Sequence, residues 1–168
     1  MAQAALVATE TAATFEEFFE EERTPLFRAL CLMTGDPCEA EELAQDAFLH
    51  LWERWDRVRE MERPAGYLYR SAMNGFRSRR RQLARAARVT FVPPRQADAY
   101  DEADLRDSVL RALRSLGRRQ RAAVVLTQLL GYHSTDAGRL LDIKATTVRT
   151  LAAEARTILR NELEPVDA

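Results

Sequence analysis

The sequence predicts an all-α protein: two small helical domains joined by a flexible linker, the second a helix-turn-helix bundle. Three observations carry this. Apolar residues recur every three or four positions along most of the 168-residue chain, the period of a helix with one buried face. Helix-start signals stand where those patterns begin, as at Thr14-Phe15-Glu16-Glu17 and Asp36-Pro37-Cys38-Glu39. No stretch alternates apolar and polar residues as a half-buried strand does.

Residues 1–13 show no period and read as a disordered tail. Beyond the Thr14 cap, Phe15, Phe18, Phe19, Leu26, Phe27 and Leu30 define a buried face, and Pro25 is expected to kink or divide the helix. Gly35 ends it. Asp36 caps the second helix, Pro37 takes its first position, and Glu39 is set for the reciprocal capping bond. Ala40, Leu43, Ala44, Ala47, Leu51, Trp55 and Val58 then point inward, leaving Glu42, Gln45, Asp46, Leu49, Glu53 and Asp56 outside. Arg63-Pro64 opens a third helix with Ala65, Leu68, Tyr69, Ala72, Met73 and Phe76 inward.

Helical character weakens after Arg88. The stretch Val89–Asp104 holds Pro93-Pro94, an acidic cluster and no apolar period. Residues 14–88 therefore form one domain, 89–104 a linker and 105–163 a second domain. Extended, the linker spans at most about 50 Å at roughly 3.3 Å per residue. In the second domain Leu105, Val109, Ala112, Leu113 and Leu116 face inward, then Gly117 interrupts. Arg118 to Leu130 follows, with Ala122, Val125, Leu126 and Leu129 inward. Gly131-Tyr132-His133 reads as a turn, with Ser134 as the cap of a short helix to Leu141. Asp142-Ile143-Lys144 is a tight connection, and a last helix from Ala145 to Glu162 buries Val148, Ala152, Ala155 and Leu159. A short helix, a three-residue turn and a longer helix form the helix-turn-helix pattern, and Gly138 stands where the two helices cross closely.

Apolar residues make up 46% of the chain, enough for real cores and against wholesale disorder. The net charge of −1 hides strong segregation: residues 1–60 hold 5 Arg against 14 Asp and Glu, and residues 61–95 hold 9 Arg against 1 Glu. Such a dipolar half serves partners of opposite sign. Cys31 and Cys38 lack metal-ligand spacing and read as buried or idle thiols. No secretory leader and no run of about 18 apolar residues is present, so the expectation is a cytoplasmic protein without a membrane partner. His50 and His133 stand far apart, and no nucleophile–base set or Gly-rich phosphate loop can be assembled. No enzyme, cofactor or metal site is expected.

On the third helix Tyr67, Arg70, Asn74, Arg77 and Arg81 lie three or four residues apart and project together. Cations for phosphate, an aromatic for stacking and an amide for a base edge are what a nucleic-acid surface needs. The alternative is an arginine face that is solvated or paired with the acidic helix before it.

Glu41-Glu42-Leu43-Ala44-Gln45-Asp46-Ala47-Phe48-Leu49-His50-Leu51-Trp52 resembles the region 2 core helix of bacterial RNA polymerase sigma factors. Pro64-Ala65-Gly66-Tyr67-Leu68-Tyr69-Arg70, with Asn74 and Arg79-Arg80-Arg81, resembles the promoter-binding helix that follows it. Leu113-Arg114-Ser115-Leu116 with Arg119-Gln120-Arg121 resembles the start of region 4, and Thr147-Val148-Arg149-Thr150 its recognition helix. Two domains on a short linker resemble the extracytoplasmic-function group, over residues 14–163.

The resemblance implies a transcription-initiation factor that recognises promoters and opens their strands. Core polymerase would bind Glu42, Gln45, Asp46, Leu49 and Trp52 through its β′ clamp coiled coil. Tyr67, Arg70, Asn74, Arg77, Arg80 and Arg81 would hold the −10 element, with Asn74 and the loop Arg59–Arg63 forming a pocket for a flipped base. Arg119, Arg121, Lys144, Thr146, Thr147, Arg149 and Thr150 would meet the −35 element. The β flap and an anti-sigma factor are further implied partners. The chain departs from the family pattern at Ser78, often Asp, at Leu151 and Glu154, often Arg, and at Asp142, a common Gly. A stand-alone helix-turn-helix regulator and a degenerate sigma-like polymerase-binding protein are the alternatives.

Overall fold

A computed structural model describes residues 14–86 and 104–163, the stretch 104–107 by its backbone alone. Every regular element among them is helical. The linker and the N-terminal tail read from the sequence fall outside the described residues, apart from the linker's last position, Asp104, where a helix begins.

Helix α1 (Phe15–Thr34) starts with the capping box read from the sequence. Thr14 Oγ1 accepts from Glu17 N–H, and the Glu17 carboxylate accepts from Thr14 N–H. It runs unbroken through Pro25. Phe18, Leu26, Ala29, Leu30 and Met33, on both sides of the proline, are all buried, and that packing outweighs the roughly 3 kcal/mol that an interior proline costs. Phe27, expected on the buried face, is exposed instead. Gly35 closes the helix at φ +72°, the left-handed cap that glycine adopts without strain.

Helix α2 (Pro37–Trp52) begins as predicted, Asp36 accepting from the Cys38 and Glu39 amides. It is shorter than its pattern suggested. A one-turn helix, α3 (Trp55–Val58), carries the last apolar positions, so Val58 is buried although it no longer shares the α2 axis. Phe48 joins the buried row, unforeseen in the sequence. Helix α4 (Pro64–Ala86) buries Leu68, Tyr69, Ala72, Met73 and Phe76, and Gly75 lets it lie close on α2: a Cβ there would stand 3.0 Å from Leu43 Cδ2.

The second module comprises α5 (Asp104–Ser115), α6 (Arg118–Val124), a π-helical segment (Val125–Leu129), α7 (Ser134–Leu141) and α8 (Ala145–Leu163). Ala112, Leu113 and Leu116 are buried, whereas Val109, expected inside, is exposed. Leu129 was also expected inside and is 56% exposed. The cause is the π segment: its wider turn rotates the residues after Leu126 away from the 3.6-residue stripe. His133, not Ser134, holds the cap position of α7, and Ser134 Oγ instead accepts from Arg149 Nη1 at 3.3 Å. Asp142 takes the left-handed conformation (φ 56°, ψ 48°) in the turn.

The two modules are not separate bodies in this structure. Helix α6 packs on α1, α7 on α4, and the buried apolar residues of both modules form one continuous cluster.

The α7–α8 crossing is closest at Gly138, where a Cβ would stand 2.7 Å from the Ile143 carbonyl oxygen and 3.3 Å from Ala145 N. Those are backbone atoms and cannot turn aside. Gly138→Ala is therefore expected to lower stability by about 1–3 kcal/mol, the usual range for overpacking, read as a lower urea midpoint. An unchanged midpoint would show that the crossing is looser than described.

Candidate functional site

Two faces of the first module stand out. On α2, Glu42, Gln45, Asp46, Leu49 and Trp52 are all exposed, as the sequence led us to expect. Leu49 and Trp52 are each 55% exposed, large apolar groups that the protein leaves in water. Trp52 is anchored from behind. Phe15 meets it edge-on, with ring centroids 5.1 Å apart, and Phe15 also touches Trp55 at 5.6 Å. This aromatic cluster holds the indole at the surface as part of an exposed apolar patch rimmed by carboxylates.

On α4, Tyr67, Arg70 and Asn74 border a cavity of about 240 Å³ completed by Ser71 and by His50, Glu53 and Arg54 from the end of α2. The predicted partner loop, Arg59–Arg63, does not line it. The wall comes from α2 because that helix ends at Trp52 and turns its last residues toward α4, a chain reversal that periodicity does not reveal. His50, Glu53 and Arg54 are thus the residues sequence reasoning missed. Nothing in the sequence signalled them, since the apolar row continues at helical spacing from Leu51 to Trp55 and Val58.

The remaining arginines of the basic face divide. Arg70 and Arg81 are exposed, as expected of phosphate contacts. Arg79 is ion-paired with Glu42, so part of the basic helix is indeed paired with the acidic one. Arg77 turns toward the second module. It donates to Asn74 Oδ1, its Nη1 lies 3.7 Å from the Asp142 carboxylate, and its side chain is only 20% exposed. Arg80 stands beside Arg119 in the same crevice. Burial first, then the neighbouring Arg119, Arg81, Arg118 and Arg77 cations, depress the Arg80 pKa below its ordinary value.

In the second module Lys144, Thr146, Arg149 and Thr150 are exposed along the start of α8, with Thr147 half-buried. Thr150 Oγ1 donates back to the Thr146 carbonyl. Glu154 accepts from Gln120 at 3.0 Å, which holds its carboxylate toward α6. Leu151, the other departure, packs against the core. Arg121 does not project outward: its Nη2 donates to the Thr34 carbonyl at 3.3 Å, and its guanidinium lies over Gly35.

Elsewhere Cys31 and Cys38 are free thiols. Cys38 is exposed, while burial followed by Asp36 pushes the Cys31 thiol up to about 11. No group of His, Cys, Asp or Glu among the described residues is arranged to hold a metal ion, and no helix there is long and apolar enough to cross a membrane.

The chain and its architecture match two parts of known transcription factors. Residues 18–86 match the family model for Sigma-70 region 2, and residues 106–159 match that for Sigma-70, region 4. The chain is 28% identical over 159 residues to the RNA polymerase sigma-E factor of Streptomyces avermitilis, covering 91% of this chain and 87% of that protein. It is 30% identical over 147 residues to the ECF RNA polymerase sigma factor SigM of Mycobacterium tuberculosis, covering 86% and 74%. Among solved structures, the sigma factor RpoE of Bartonella quintana, determined with the anti-sigma factor NepR, shares the fold: TM-score 0.69, 24% identity, 92% of this chain and 98% of that one.

Together these define a sigma factor built from region 2 and region 4, acting in promoter recognition and transcription initiation. The chain belongs to the extracytoplasmic-function (ECF) RNA polymerase sigma factors.

The exposure of the α2 patch has a direct optical test. Trp55 is half-buried while Trp52 is open, so Trp52→Phe should remove most of the emission that acrylamide quenches in the free protein. Retention of that quenchable emission would mean that Trp52 is covered.

Proposed function

We propose that this sigma factor grips core polymerase with α2 and promoter DNA with α4 and α8, without catalytic chemistry of its own. What carries this reading is the juxtaposition in the first module: an exposed acidic-apolar face on α2, one helix away from a cavity walled by Tyr67, Arg70 and Asn74. Glu42, Gln45 and Asp46 offer acceptors to a basic coiled coil such as the β′ clamp, and Leu49 and Trp52 supply the apolar anchors such interfaces centre on. The neighbouring cavity offers an unstacked base an aromatic wall, an amide and cations, the groups by which flipped bases are held.

Arg70 and Arg81, both exposed, serve the phosphates around that base with Arg80 beside them, whereas Arg77 is turned toward Asp142 of the second module. In the second module Lys144, Thr146, Thr147, Arg149 and Thr150 enter the major groove at the −35 element, with exposed Arg119 toward the backbone, whereas Arg121, bonded to the Thr34 carbonyl, is turned away from it. Exposed Leu129 and Leu163 offer apolar contacts to a partner such as the β flap. The fold shared with a sigma factor solved with NepR supports an anti-sigma factor as a regulator. The site of action is the cytoplasm, where polymerase and promoters are. The −35 helix carries few cations and keeps Glu154, which favours dependence on polymerase over tight duplex binding by the free chain.

Separation of roles is the test. Replacing Gln45 and Asp46 together by Ala is expected to weaken core binding about tenfold or more, roughly 1.4 kcal/mol, measured by fluorescence anisotropy. Asn74→Ala should leave that affinity unchanged and abolish strand opening in permanganate footprints. Normal opening by Asn74→Ala would overturn the assignment of the base cavity.

A further inference from the structure

Between α4 and α6 the protein gathers more cations than it neutralises. Arg77 and Arg80 on α4 and Arg119 on α6 line one crevice, closed behind by Phe76, Leu141 and Ile143. Arg81 and Arg118 stand near enough for their charges to bear on Arg80. Two of these arginines have anionic partners. Arg77 Nη1 lies 3.7 Å from the Asp142 carboxylate. Arg118 Nη1 donates to the Glu39 carboxylate at 3.0 Å, and the same guanidinium sits 4.7 Å from the centroid of the Phe76 ring. Their side chains are 20% and 11% exposed, so Arg118 and Glu39 are committed to one another.

Among the described residues no carboxylate pairs with Arg80, Arg81 or Arg119. Arg81 and Arg119 are exposed and water solvates them. Arg80 is half-buried, and the charges that depress its pKa after burial are all cations: Arg119, Arg81, Arg118 and Arg77. Burying part of a cation among cations costs free energy that no contact inside the chain returns. Arg79, one residue earlier, shows the alternative, since it pairs with Glu42. The junction is short of acceptors as well: Arg77 and Arg118 each keep a buried Nε–H that meets none.

An anion at the mouth of the crevice offsets that cost. The void inside is only about 10 Å³, scarcely room for one water, so a ligand rests on the guanidinium groups at the rim and does not enter. Three guanidinium groups offer more donors than the two oxygens of a carboxylate accept. A phosphate group brings three acceptor oxygens and a charge of up to about −2.

We propose that Arg80, Arg81 and Arg119 together bind one phosphate-bearing anion at the mouth of the α4–α6 crevice. The site goes beyond the promoter reading, which gives Arg80 and Arg81 to one DNA element and Arg119 to another. It exists only where the two helices lie together, because α4 supplies two of its cations and α6 the third. A free polyphosphate and the backbone of a single nucleic-acid strand both carry the required group.

The test is calorimetric titration of the full chain, without polymerase, with inorganic tripolyphosphate. One anion should bind per chain. At about a hundredfold excess over Kd it should raise Tm by about 5–10 °C, and sodium chloride at equal ionic strength should not. Arg80→Gln and Arg119→Gln should each weaken binding about tenfold, the loss expected for one charge-assisted hydrogen bond. Arg28→Gln, at an exposed position on α1, should leave it unchanged. Arg119 is exposed, so its variant carries the test even where Arg80→Gln fails to fold.

A fluorescent single-stranded oligonucleotide separates the two sources of phosphate. If tripolyphosphate displaces it and Arg119→Gln releases it, the site takes a nucleic-acid backbone too. Oligonucleotide binding indifferent to both assigns the site to a free polyphosphate. Absence of saturable one-to-one binding would overturn the proposal and show a cluster that is merely solvated. Binding undiminished in Arg119→Gln would also overturn it, placing the anion elsewhere. Neither result touches the promoter reading.

Discussion

The close approach of α4 to α2 at Gly75, over Leu43, is the contact on which the rest of this molecule depends. With no side chain at residue 75, the buried row of α4 meets that of α2. An acidic-apolar face and a basic-aromatic face thereby stand one helix apart on a rigid body. In the function proposed above, polymerase held on one of these faces places DNA against the other. A larger residue at 75 would push the helices apart and change the angle between the two surfaces, even with every surface residue kept.

Electrostatics then decides how the surfaces are used. The first 60 residues are acidic and the next 35 basic, and part of that difference is neutralised inside the protein by Glu42 with Arg79 and by Glu39 with Arg118. What stays open is selective. Gln45, Asp46, Leu49 and Trp52 remain on one helix, and Tyr67, Arg70 and Asn74 around the cavity on the other. Exposed pairs such as Arg79–Glu42 contribute little to stability, typically under about 1 kcal/mol; their effect is on which charges partners meet. The shielded Arg118–Glu39 pair differs, since losing either partner strands the other charge away from water.

Most of the helices and both exposed faces were legible in the sequence, because caps and a 3.6-residue period are local. Thr14, Asp36, Gly35 and Gly138 each did what their chemistry dictates. The failures share a cause, which is that each needed information from another part of the chain. Pro25 was expected to kink or divide α1, and it does not divide it, because burial on both sides holds the helix together. Leu129 was placed inside because a π turn has no simple local signature. The cavity at Asn74 takes its second wall from the end of α2, not from the loop before α4. Arg77 and Arg121 were read as DNA contacts, and only the packing of one module on the other gives them, and Arg118 with them, their carboxylate, carbonyl and ring partners.

The central claim is that this chain confers promoter specificity on a polymerase that lacks it. Run-off transcription by core enzyme, with and without the purified chain, on a library of genomic fragments tests it most directly. The account predicts discrete transcripts with defined start points that appear only when the chain is added. Transcripts indistinguishable from those of core enzyme alone, from a chain shown to be folded, would contradict it.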